Sequence, residues 1–200
     1  MTRPTLQPEG PSRRPSVAAG AARRTRLPLA WPLTLVFAAA LVALSAQVAI
    51  PVPGSPVPMT LQPLAVILVG GLFGAAAGAG ALVLYLTVGA FGAPVFAPAG
   101  PGGLAQLFGP TGGYLLAMPI AAALVGRLAQ RGRLLRSVLA AGAGLAVIHV
   151  GGWAQLTLLT GDPARALALG TLPFLAQDGL KVILAGLVLW RGHHALRLRS

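Results

Sequence analysis

Cysteine is absent from these 200 residues, which excludes disulfides, thiol catalysis and cysteine-based metal sites. Carboxylates are nearly as scarce: Glu9, Asp162 and Asp178 are the only three. With so few acids and no HExxH stretch, neither paired catalytic carboxylates, a zinc-hydrolase helix nor a Ser/His/Asp set can be assembled, so the sequence offers no catalytic or metal site. Lysine occurs once, as Lys181. Charged residues make up 9% of the chain, where a soluble domain carries about 25%.

Apolar residues fill the place of the missing charge. They reach 56% of the composition, and the mean hydropathy is +0.79. They fall in blocks of about twenty, the length that crosses a bilayer as a helix, separated by short Gly/Pro-rich segments. The reading is an all-α integral membrane protein with one membrane domain and no room for a soluble catalytic one. Six helices are predicted, over 29–50, 60–74, 78–93, 113–130, 135–160 and 171–190. Gly74–Gly78 reads as a tight turn between the second and third. The 50–60 segment, "IPVPGSPVPMT", has four prolines and cannot be helical. The 92–112 segment is a long Gly/Pro-rich connector, and Thr171 with Pro173 opens the last helix.

The net charge of +12 is not a nucleic-acid footprint, because no basic stripe is interleaved with aromatics. Six arginines precede the first apolar block, four more (Arg127, Arg131, Arg133, Arg136) share one connector, and Arg191, Arg197 and Arg199 close the chain. Arginine clusters beside spans mark the cytoplasmic side. Six helices put all three clusters on one face, so both termini are expected in the cytoplasm. The opposite face then receives only Arg165. Residues 1–28 are expected to form a disordered basic tail, 29–191 the membrane domain and 192–200 a second basic tail. A basic opening before an apolar run also has the form of a signal peptide, but the run that follows is long enough to span.

Against this background "PFLAQDGLKVIL" (173–184) stands out. Asp178 and Lys181 are three residues apart and share one helix face, about two turns below the outer surface at 1.5 Å per residue. A charge at mid-bilayer costs at least about 2.5 kcal/mol on insertion scales. The segment is open to two readings, a structural ion pair or a pair of ligand contacts. Thr60 and Gln62 in "TLQ" are placed to hydrogen-bond a ligand at the outer mouth of the second helix, or to cap it with Gln62 solvated. In "GPTGGYL" (109–115), Gly113 belongs to glycines that let backbone approach closely. Thr111 serves there as a ligand contact or a helix cap, and Tyr114 as a ligand contact or an interfacial aromatic. No Gly-Lys-Ser/Thr follows, so this is no phosphate loop. Tyr85, inside an apolar helix, needs a hydrogen-bond partner. Ala39 and Ala43, four apart in the first helix, admit close approach of another helix. His149 is mid-helix and reads as structural.

The ordered set "AQVAIPVPGSPVPMTLQ", "LYLTVGAFGAPVFAPAGPGGL", "GPTGGYL" and "PFLAQDGLK" resembles the BioY family, the biotin-specific substrate-binding (S) components of energy-coupling-factor vitamin transporters. The likeness runs from about residue 33 to 190. It implies a six-helix S-component fold in the cell membrane and a biotin pocket near the outer face. It makes Asp178, Lys181, Thr60, Gln62, Tyr85, Thr111, Gly113 and Tyr114 substrate-binding residues, with biotin as cargo and no cofactor. Ala39 and Ala43 become the contact with the transmembrane coupling subunit, which the ATPase subunits drive. The carboxylate of Asp178 suits the ureido N–H groups of biotin, and Lys181 suits its carbonyl or its carboxylate. The sequence departs from the family pattern twice. Where members usually show Tyr-x-x-Gly-x-x-Trp, this chain has "HVGGWAQ", from His149 to Gln155, with Trp153 two positions early. Ala176-Gln177 stands where Pro-Gly is common. Two other functions remain to be weighed: an S component for another vitamin, and a ligand-free structural membrane subunit.

Overall fold

The computed structural model describes residues 30–129 and 133–197. The tail expected over 1–28, Arg131 in the basic connector and the last three residues lie outside the described residues.

The described chain is mostly helical, because its Ala- and Leu-rich blocks combine high helix propensity with no proline beyond a helix's first turn except Pro119. The six expected helices form as α1 (Ala30–Gln47), α2 (Gln62–Phe73), α3 (Ala75–Ala90), α5 (Gly112–Leu128), α6 (Leu134–Thr160) and α8 (Leu175–Arg197). Three stretches are long and apolar enough to cross a membrane: α1 with 18 residues, α6 with 27, and the nearly continuous helical run Pro163–His194 with 32. The helices α2, α3 and α5 are apolar but shorter, at 12, 16 and 17 residues.

Four features differ from the sequence expectation. The turn between α2 and α3 is not five residues but one: Gly74, at φ +86°, ends α2 and begins α3. Gly78 therefore lies within α3, where a Cβ would come 2.8 Å from the Gly70 Cα. The 92–112 connector contains a short helix, α4 (Gly103–Phe108), and the 161–170 connector contains another, α7 (Pro163–Gly170). The chain has local reasons for α7: Gly161 closes α6 at φ +69°, Asp162 Oδ1 accepts from the Ala164 and Arg165 amides, and Pro163 occupies the first turn. The last helix begins only at Leu175, after a 3-10 turn over Leu172–Phe174, and runs past the expected end at 190 to Arg197. Finally, the 50–60 segment closes on itself as a hairpin whose strands, β1 (Ala49–Ile50) and β2 (Met59–Thr60), pair Ala49 with Thr60 and Ile50 with Met59. The prolines between them prevent a longer ladder.

Packing is centred on α5, which lies against α2, α3 and α6, while α6 also carries α7 and α8, and α1 lies against α3 and α2. Small residues allow these approaches. A Cβ at Gly70 would overlap the Ala122 backbone, and one at Gly113 would overlap the Gly151 carbonyl across the α5–α6 seam. One apolar core, containing Val42, Leu82, Tyr85, Met118 and Ile148, lies beneath the hairpin and loops, and a second, containing Ile67, Val125, Ala140 and Leu189, lies toward the other end. Between the first core and the hairpin the helices leave a cleft.

Candidate functional site

The cleft encloses about 610 Å3 of empty space, part of it open to solvent. Its wall takes residues from the hairpin (Val57, Pro58, Thr60), α2, α4, α5, α6 and α8. Among the sites predicted from sequence, Asp178, Lys181, Thr60, Gln62, Thr111 and Tyr114 all line it. They come from three separate stretches of the chain, around 60–62, 111–114 and 178–181, and folding brings these to one place.

Asp178 is the electrostatic centre. Lys181 Nζ donates to its Oδ1 at 2.9 Å, one turn along α8, and His149 Nε2 meets its Oδ2 at 2.7 Å from α6. Asp178 and Lys181 are 3% and 6% exposed, so both charges are withdrawn from solvent. Burying them is tolerable only because they meet each other. A carboxylate can only accept, so the facing His149 nitrogen carries the proton.

The other polar residues are held by bonds to the protein itself. Gln62 is buried rather than solvated. Its amide donates to the Tyr85 hydroxyl at 2.8 Å, and that hydroxyl donates onward to the Val95 carbonyl at 3.2 Å. Since a phenol has one hydrogen, this chain of bonds fixes which way the Gln62 amide faces and leaves its Oε1 for another donor. Tyr85 therefore sits behind Gln62 and not in the cleft wall. Thr60 lies in β2 and accepts from the Gln62 amide N–H at 3.3 Å, ordering the entry to α2 without capping it. The Thr111 hydroxyl accepts from Gln106 Nε2 at 2.9 Å, and Gln106 Oε1 accepts from Gly102 N–H at 3.2 Å. The Tyr114 hydroxyl donates to the Gly170 carbonyl at 2.6 Å, so its ring faces the cleft while its polar end ties α5 to α7. That ring stands edge-on to His149 at 6.2 Å between centroids. Gly113 contributes the α5–α6 approach rather than the wall. The hairpin is fastened over the cleft by Ser55 Oγ, which donates to the Leu169 carbonyl at 2.7 Å.

The structure adds wall residues that sequence reasoning missed: Gln106, Met118, His149 and Gln177. Two of them, His149 and Gln177, are where the chain departs from the family pattern, and that departure was the available signal. Trp153 does not line the cleft; its Nε1–H donates to the Pro163 carbonyl at 3.0 Å. Gln155, in the tryptophan's usual place, donates to the Leu107 and Gly109 carbonyls at 3.0 and 2.6 Å and braces the α4–α5 loop. Ala39 is buried and Ala43 half-buried, both packed on the first core, while α1 turns Leu33, Phe37 and Leu44 outward. Among the described residues no three His, Cys, Asp or Glu side chains cluster as metal ligands would. The cleft offers hydrogen-bonding groups and one neutralised ion pair, the equipment of a site that binds a polar small molecule.

Fold and cleft define an apolar helical protein built to enclose a small ligand. The sequence matches the BioY family over residues 23–198. It is 39% identical to the probable biotin transporter BioY of Pyrococcus horikoshii over 149 residues, covering 74% of this chain and 87% of that one. Against the biotin transporter BioY of Thermotoga maritima it is 37% identical over 162 residues, covering 80% and 90%. The chain belongs to the BioY family. Its fold is that of the crystallised S component for biotin from an ECF-type ABC transporter, with a TM-score of 0.74 over 86% of this chain and 92% of that one at 23% identity.

Proposed function

We propose that this protein captures biotin as the S component of an energy-coupling-factor transporter. The carrying observation is the buried Asp178–Lys181 pair in the wall of a largely preformed cleft, in a chain whose relatives are named biotin transporters. Asp178 accepts from ureido N–H groups. Lys181, Gln62 and Thr111 serve the remaining polar atoms, and Met118, Leu115, Ile148 and the Tyr114 ring enclose the apolar ring system. Tyr85 and Gly113 act from behind, by holding Gln62 and by letting α5 approach α6.

In this reading α1, α2, α3, α5, α6 and α8 are six spans of the cell membrane, with both termini cytoplasmic and the cleft toward the outside. The asymmetric arginine clusters support that orientation. The chain carries no phosphate-binding loop, so a transmembrane coupling subunit and ATPase subunits supply the energy. Of the two alanines assigned to that contact, Ala43 keeps more surface that a partner can reach.

Calorimetric titration of the purified full chain in detergent tests the proposal. One biotin should bind per chain, with no competition from thiamine or riboflavin. A flat titration from folded protein overturns it, and displacement by another vitamin reassigns the cargo.

A further inference from the structure

Gln106 lines the cleft, yet it is only 2% exposed, and its side chain is bound at both ends. Its Oε1 accepts from the Gly102 N–H at 3.2 Å, and its Nε2 donates to the Thr111 hydroxyl at 2.9 Å. A backbone N–H can only donate, so the end of the amide that faces Gly102 is the oxygen and the end that faces Thr111 is the nitrogen. The loop clamps the amide in place as well: a Cβ at Gly100 would overlap it.

The direction of this relay decides what Thr111 can offer. A hydroxyl has one hydrogen and two lone pairs. Gln106 uses a lone pair, and among the described residues no protein acceptor takes the hydrogen. Thr111 is half-buried in the same wall, which leaves that hydrogen to a ligand. Thr111, Tyr114 and Met118 line the cleft on successive turns of α5, spanning about 10 Å at 1.5 Å per residue. Met118 marks the end where the Gln62 amide approaches its sulfur at 3.7 Å. In the middle the Tyr114 ring faces His149, which holds Asp178. Thr111 marks the opposite end, against α4.

We infer that Gln106 is a positioning residue that makes Thr111 a hydrogen-bond donor, and that Thr111 donates to the carboxylate of the ligand's tail at the α4 end of the cleft. The inference rests on the proposed biotin reading. With the ureido N–H groups on Asp178, the tail is the part left to extend along α5, and its carboxylate can only accept. At the far end Gln62 presents Oε1, an acceptor that a carboxylate cannot satisfy, and the Lys181 charge is already paired with Asp178. Were the Gln106 amide reversed, Thr111 would give its hydrogen to Gln106 and offer the ligand lone pairs alone.

Calorimetry on the full chain in detergent, with biotin and with an analogue whose carboxyl group is replaced by methyl, tests it. Thr111→Val keeps the shape and removes the hydroxyl. It should weaken biotin roughly tenfold and the methyl-ended analogue much less, while Thr111→Ser keeps the affinity for biotin. Gln106→Leu should also weaken biotin more than the analogue. The double variant should lose little more than Thr111→Val alone, because the two residues act as one unit. Losses in Thr111→Val that are equal for the two ligands overturn the carboxylate contact, and so does a wild type that binds both ligands equally, a comparison that needs no variant. Losses that add in the double variant overturn the positioning role of Gln106. Both results leave biotin capture intact, whereas a wild type that binds no biotin overturns the functional reading instead.

Discussion

Replacing Lys181 by Met leaves the Asp178 charge inside the protein with only His149 to hold it. The pair is separated by 2.9 Å, which at an effective dielectric of 20 corresponds to roughly 6 kcal/mol of gross Coulomb attraction. Desolvation offsets part of this, and breaking a buried pair from one side costs about 3–5 kcal/mol. His149 keeps its charge-assisted bond at 2.7 Å, which places the expected loss near the lower end, about 3 kcal/mol. Asp178→Asn with Lys181→Met leaves no stranded charge, and the carbonyl of the introduced amide can still accept from His149. The double variant is therefore expected within about 1 kcal/mol of wild type, so that the cycle shows strong coupling. The assay is reversible unfolding of the biotin-free protein in mixed micelles, followed by fluorescence of its three tryptophans. All variants should lose biotin binding, but only the double variant should recover stability. A Lys181→Met protein as stable as wild type, or a double variant as unstable as the single, would refute the claim that the two charges depend on one another.

Two further outcomes follow from the packing and the hydrogen bonds. Gly70→Ala forces a methyl into the Ala122 backbone at the α2–α5 seam and should lower stability by about 1–3 kcal/mol; Gly179→Ala, with open space around it, should be neutral or stabilising by up to about 1 kcal/mol, and melting in detergent compares the two. Tyr85→Phe leaves the Gln62 amide with only the Met118 sulfur at 3.7 Å, while the Val95 carbonyl keeps the Gln47 amide at 3.4 Å; the loss should be about 1–3 kcal/mol with biotin weakened severalfold in calorimetry, and unchanged affinity would show that Gln62 does not touch the ligand.

The six principal helices were legible because each is an apolar block bounded by glycine or proline, and a block of that kind has few alternatives in a membrane. Asp178 and Lys181 were legible for the opposite reason: charge is so rare in this chain that one residue of each sign on one helix face is conspicuous. The short helices α4 and α7 were not, since six or eight residues give no periodic signal and the cap at Asp162 is a local device inside a Gly/Pro-rich stretch. His149 was read as structural because a lone histidine in a helix says nothing about what lies opposite. Only the packing of α6 on α8 puts it against Asp178. Tyr85 shows the converse. Its need for a partner was visible, but that the partner is Gln62, 23 residues away, depends on how α2 and α3 fold back at Gly74.

The bonds around the cleft explain why a site in so apolar a chain can be selective. Gln62 is held by Tyr85, Thr111 by Gln106, the Tyr114 hydroxyl by Gly170 and the hairpin by Leu169. None of these contacts uses a ligand, so the wall has its shape before one arrives and little order remains to be imposed on binding. Gln62, Asp178 and Lys181 are buried, which strengthens each bond a correct ligand makes to them and penalises a ligand that leaves one of them unpaired.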